Sequence, residues 1–206
     1  MQNAYKKGDE LILTNNELDT HADTCCFGPN AFVLSEDMSQ QAIVGGFLSE
    51  LGTVSTPIVS VAVAYDDVAT YTTYILIFHQ VVLFQNLEHN LLCPFQIRMN
   101  DIIVNDCPLT TLTQSRNTTS IQPSEHSIIS MEPALQIPLK LRGAMSYFQT
   151  RRPTLYEVEN PDLYPQIIMT YDNPFWDPYD VHFSSIEDSL REHIGYFKEF
   201  IPTDYD

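Results

Sequence analysis

Asp19, in the run Leu18-Asp19-Thr20-His21-Ala22-Asp23-Thr24, is the residue of this chain best placed to do chemistry. A strand leads into a turn of small and polar residues, an arrangement that presents a carboxylate at a fixed point of the backbone. A lone carboxylate is a general base or, when protonated, a general acid, but not both at once. Two carboxylates close enough to share one proton divide the work: the ionised one activates water and the neutral one donates to a carbonyl oxygen. Only one Asp-Thr-x-Ala run occurs in the 206 residues. The second carboxylate therefore has to come from another copy of the chain, which makes a symmetric homodimer a condition of that chemistry.

The elements that must hold Asp19 are mostly strands. Leu11-Ile12-Leu13, a tight turn at Asn15-Asn16 and Glu17-Leu18 read as strand, turn and strand. Phe27-Gly28-Pro29-Asn30 breaks the chain, and Ala31-Phe32-Val33-Leu34 resumes it as a short strand. From Ser35 to Thr56 the pattern loosens, and Gly45-Gly46 and Gly52 suit a flap or a long hairpin. The β-branched and aromatic runs from Ile58 to Tyr65 and from Thr70 to Phe84 predict two long strands joined by a turn at Asp66-Asp67. Pro94 fits the first position of a short helix over Phe95 to Asn100, and Ile102-Ile103-Val104 returns to a strand. Residues 110–126 are polar and read as a linker or surface loop, Asn117-Thr118-Thr119 included. Strands follow at Ser127 to Met131 and Leu135 to Leu141. Four of the thirteen prolines and the single Trp176 lie between Pro161 and Pro178, as suits an ordered loop. Ser184 and the acidic residues after it have the form of a capping box, predicting a helix over residues 186–200 closed by Pro202.

Composition limits the partners. Ten Lys and Arg against twenty-seven Asp and Glu give a formal charge of -17, which excludes an unaided grip on nucleic-acid phosphates and leaves protein as the partner. No apolar run approaches the ~20 residues that cross a bilayer, and the first ten residues lack the core of a signal peptide, so a cytosolic chain is expected. Cys25, Cys26, Cys93 and Cys107 lack metal-ligand spacing and read as free thiols; no metal and no cofactor is expected.

Three stretches together carry a resemblance: Leu18-Asp19-Thr20-x-Ala22-Asp23, the run from Tyr74 to Leu83, and His89-Asn90-Leu91-Leu92-Cys93-Pro94-Phe95-Gln96-Ile97. The first and last start about 70 residues apart. The chain resembles the retropepsin family of aspartic proteases, and more closely the protease segment of Copia-type retrotransposon polyproteins, over about residues 10–107. The tail from Ile137-Pro138-Leu139 through Arg152-Pro153-Thr154 is similar to sequence that accompanies such segments. The resemblance implies a mainly β fold with a retropepsin-like closed half-barrel, a β-rich C-terminal extension and one terminal helix. It divides the chain into a protease domain at 1–109, the polar linker at 110–126 and the extension at 127–206.

For function the resemblance implies an aspartic endopeptidase that works as a homodimer on a polyprotein peptide, in the cytoplasm or within virus-like particles. Asp19 would be the catalytic carboxylate, and Thr20 would tie the two active-site loops together by a hydroxyl hydrogen bond across the dimer axis. His21, Ala22 and Asp23 would line the substrate, with Ala22 allowing close backbone approach and Asp23 receiving main-chain donors. Arg98, one turn along the short helix, would replace the family's missing arginine as the partner of Asp23. His21 stands where the family has glycine. It reads either as a ring pointing out of the loop or as an imidazole that favours ionised Asp19 when protonated. Two alternatives stay open: a catalytically inactive protease-fold module kept as a dimerisation or interaction surface, and a chance motif in which Asp19 and Asp23 form an Asx-type turn.

Overall fold

The computed structural model describes residues 12–45, 52–111, 125–172 and 176–194. Its strands are β1 (Leu13–Leu18), β2 (Cys26–Phe27), β3 (Phe32–Gly45), β4 (Thr53–Asp67), β5 (Thr72–Leu83), β6 (Asn90–Leu92), β7 (Ile103–Asn105), β8 (Ser127–Met131), β9 (Ala134–Pro138), β10 (Lys140–Arg142), β11 (Met145–Arg151) and β12 (Gln166–Ile168). The helices are α1 (Pro94–Arg98), α2 (Leu155–Glu159) and α3 (Val181–Ile194). The chain is thus mainly β, and it divides into two units, residues 1–174 and 175–206.

The near-continuous apolar runs of β4 and β5 have a simple cause: both of their faces are covered. Val61, Val63, Leu76 and Phe78 point to the main core, where Phe27 and Phe78 pack with ring centroids 4.8 Å apart. Their neighbours Ala62, Ala64, Ile75 and Ile77 point the other way and are covered by Phe32, Val158 and Tyr164. Each fully buried large side chain contributes about 1.5–3 kcal/mol. Val158 and Tyr164 come from the segment expected as an extension, so that segment seals the outer face of the central hairpin. It also supplies strands. The main sheet runs β10-β11-β1-β6-β2-β5-β4-β3, and β12 pairs with β5 on the edge that β5 shares with β2. A second sheet holds β7, β8 and β9.

The structure departs from the sequence expectations at several points. Asn15-Asn16 is no turn: both lie inside one strand, β1, because the side chain of Asn16 is fully buried and hydrogen-bonded there. The Ala31 strand extends as β3 to Gly45, pairing with β4 along its length; the tip, residues 46–51, lies outside the described residues. The hairpin turn follows Asp67 rather than falling on Asp66-Asp67. The terminal helix starts at Val181, where the Asp180 carboxylate accepts the His182 N–H at 2.8 Å. Ser184 is therefore inside the helix, donating to the Val181 carbonyl, and does not cap it. The predicted polar linker lies largely at 112–124, and the predicted helix end beyond 194, both outside the described residues. In the second unit the Trp176 ring sits 5.9 Å from Phe183.

Candidate active site

β1 brings Asp19 to the mouth of a short loop whose other end enters β2. Between these two strands lies β6, parallel to β1 through Leu18↔Leu92 and antiparallel to β2 through Leu91↔Cys26. A strand inserted between the two legs of a loop fixes both of them. The Asp19 N–H donates to the Leu92 carbonyl at 2.9 Å, and on the return leg the Cys93 N–H donates to Cys25 Sγ at 3.2 Å. Gln96, buried on α1, completes the anchorage. Its Oε1 accepts the Cys25 N–H at 2.9 Å and its Nε2 donates to the Gln80 carbonyl at 2.9 Å. Gln80 has a left-handed φ of 52° at a bulge between β4 and β5, which turns its carbonyl toward Gln96. α1 forms here because Pro94 suits a first helical position and Cys93 caps it, its thiol accepting the Gln96 N–H.

A buried amide pair stands under the loop. Asn90 Nδ2 donates to Asn16 Oδ1 at 2.9 Å, Asn90 Oδ1 accepts the Gly28 N–H at 3.0 Å, and Asn16 Nδ2 donates to Thr150 Oγ1 at 2.8 Å. These bonds join three strands, β1, β6 and β11, to the residue that follows β2. Glu17, also buried, is ion-paired with Arg142, whose other nitrogen lies 3.3 Å from His89 Nε2. At Gly28 an added Cβ would lie 2.0 Å from the Leu87 carbonyl oxygen, so only glycine fits.

On this platform the Asp19 side chain is 31 % exposed, and its Oδ1 accepts the His21 N–H at 2.9 Å. That bond is the Asx-turn geometry expected of a turn aspartate, and it also fixes the direction of the carboxylate. Thr20 is exposed. The His21 side chain is 93 % exposed with Nδ1 3.7 Å from Asp19 Oδ1. Ala22 packs against the main core, and Asp23 is exposed on the same loop. Beside them, Cys26 is pushed up to about 12 by burial first and then by the charges of Asp23 and Asp19. The expected Arg98 partnership takes a different course: its Nη2 donates to the Val104 carbonyl at 2.9 Å and to Asp106 at 3.0 Å. The short tether from α1 to β7 puts those acceptors nearest its guanidinium.

The anchoring residues Asn16, Asn90, Cys25 and Gln96 are the ones that the sequence reading did not assign. Gln96 belongs to the third stretch of the resemblance and stands between the apolar Phe95 and Ile97, whereas Asn16, flanked by Asn15 and Glu17, carries no local sign of burial. A scan against protein-family models and searches of curated proteins and of solved structures returned no match. Among the described residues, no helix is long and apolar enough to cross a membrane.

Proposed function

We propose that the chain is an aspartic endopeptidase of a retrotransposon polyprotein, active as a homodimer in which each copy contributes Asp19. The observation that carries this reading is β6 lying between β1 and β2, with Asp19 held by its own N–H to Leu92 and its carboxylate left partly exposed. Such a mount suits a carboxylate that must meet its symmetry mate at a fixed separation. The single pairing Arg151↔Ala64 brings β11 against β4 and supports a small closed half-barrel. The β3–β4 hairpin supports a flap. In the reaction, the ionised Asp19 of one copy takes a proton from water as its oxygen attacks the scissile carbonyl carbon. The protonated Asp19 of the other copy donates to the carbonyl oxygen.

His21 favours a second reading, an inactive module of the same fold that serves as a dimerisation surface. Its exposed ring stands beside Asp19, so two copies closing on their Asp19 loops must accommodate two imidazoles.

The test is cleavage of an unstructured polypeptide at acidic pH by wild type and Asp19→Asn, with and without a pepstatin-like inhibitor, alongside sedimentation to define the oligomer. The protease reading expects turnover only from uninhibited wild-type dimer. A dimer with no turnover selects the inactive module, and equal, uninhibited turnover by both proteins overturns the protease.

A further inference from the structure

Among the described residues, α3 is the regular element of the second unit, and much of its apolar side lies open. Phe183, Ile186 and Leu190 recur at i, i+3 and i+7, which places them on one stripe. Ile186 is 43 % exposed and Leu190 53 %, and at its N-terminal end the stripe runs into the contact between Phe183 and Trp176. A helix of 14 residues is marginal in water on its own. A unit spanning only residues 175–206 is also shorter than the roughly 40 residues below which a chain seldom builds a sufficient core. The stabilisation that holds α3 helical therefore comes from burying this stripe against something larger.

Charge selects what that is. The second unit carries eight Asp and Glu against one Lys and one Arg, a formal charge of -6, and its Arg191 is ion-paired with Glu187 at 3.0 Å. The first unit carries nineteen Asp and Glu against eight Lys and Arg, a formal charge of -11, and a second copy of the chain brings -17. Both repel α3, as does an anionic lipid surface. A protein surface rich in lysine and arginine attracts it and is steered onto it.

We infer that α3 is a docking helix that lays Phe183, Ile186 and Leu190 into an apolar groove rimmed by lysine or arginine on a separate protein. Ile186 and Leu190 are the anchors, the Trp176–Phe183 contact closes the N-terminal end, and Glu187, which flanks the stripe, meets the cationic rim. No part of this surface depends on Asp19 being catalytic.

The probe is a synthetic helical peptide with leucine at its a and d positions and lysine at the flanking e and g positions, which also keep it from pairing with itself. It is titrated into the full chain while the emission of Trp176, the only tryptophan, is followed. The expected result is saturable binding with a blue shift, and none with the same peptide carrying glutamate at e and g. Ile186→Ser/Leu190→Ser weakens the binding about tenfold or more, while Val68→Ser, an exposed apolar residue of the first unit, leaves it unchanged. Equal binding of the glutamate peptide or of the double variant overturns the inference, as does no binding of the lysine peptide at about 0.1 mM. Three other covers for the stripe overturn it too. A Trp176 shift on vesicles of phosphatidylcholine alone would mean a lipid surface, and a dimer in sedimentation that Ile186→Ser/Leu190→Ser dissolves would mean a second copy. Emission of a buried indole in the chain alone, reddened by the double variant, would mean that the chain covers its own stripe.

Discussion

Asn90 and Asn16 hydrogen-bond to each other at 2.9 Å in the interior, joining the strand that lies between the legs of the Asp19 loop to the strand that delivers Asp19. Each amide also serves a second partner, so neither can be lost without stranding others. Removing one member leaves buried polar groups unsatisfied at about 1–3 kcal/mol. Asn90→Ala strands the Gly28 N–H and Asn16 Oδ1, and we expect a loss of about 2–4 kcal/mol in urea denaturation. A loss under about 0.5 kcal/mol would show that the amide pair does not hold the platform.

Gly28→Ala tests the same platform from its other side. The new Cβ meets the Leu87 carbonyl oxygen at 2.0 Å, a backbone atom that cannot swing aside. The expected cost is about 1–3 kcal/mol, as for overpacking generally. Gly45→Ala is the control, because nothing lies within 4 Å of its added Cβ. Thermal melts that place the two variants together would contradict the close approach.

Acid should weaken the clamp between β11 and α2. Arg151 pairs with both Asp66 and Glu157, and Thr154 caps α2 reciprocally with Glu157. Burial raises the Glu157 carboxyl, but hydrogen bonds from Arg151 and Thr154 outweigh it and leave the group below its ordinary value. The folded pKa lies below the unfolded one, so this stabilisation is present above roughly pH 4.3 and is lost as pH falls through the folded value. Glu157→Gln is expected to melt about 2–4 °C below wild type at neutral pH, with the gap closing toward pH 3. A gap that stays constant with pH would show that the charge of Glu157 is not what matters.

The thiols report on the Asp19 loop. Cys26 is raised by burial and by the charges of Asp23 and Asp19, whereas Cys107 is exposed. Iodoacetamide at pH 8 should therefore alkylate Cys107 well before Cys26 in the folded protein, as peptide mass spectrometry would resolve. Asp23→Asn and Asp19→Asn should each lower the pH at which Cys26 begins to react, Asp23→Asn by more. Unchanged Cys26 reactivity in both variants would place those carboxylates farther away than the structure has them.

Local chemistry made some of these elements legible and hid others. Pro94 announced α1 because a proline without an N–H fits a first helical position, and the runs of β4 and β5 declared themselves through β-branched and aromatic content. Asn15-Asn16 misled because an asparagine in a strand looks like a turn until its partner, distant in sequence, is known. Thr154 and Glu157 form a complete capping box around a helix of five residues, too short for any periodicity to mark. Ser184 has the cap composition without the cap role. The pairings of β11 with β1 and of β12 with β5 leave no trace in local pattern, since periodicity tells which face of a strand is buried and not which strand lies beside it. Asp19 itself was legible from its motif, whereas the groups that hold it were not.

The insertion of β6 between β1 and β2 also sets an order of events. During synthesis the Asp19 loop emerges early, but its two legs have no Leu92 carbonyl, Cys93 amide or Gln96 amide to hold them until the chain has grown past α1. Its flank stays open until β11 arrives to cover β1. Contacts so far apart in sequence form slowly, after the loops between them have closed. A nascent or truncated chain ending before Leu92 therefore carries the Asp19 motif without the shape that aims it, and the carboxylate acquires its fixed direction only once most of the first unit has been made.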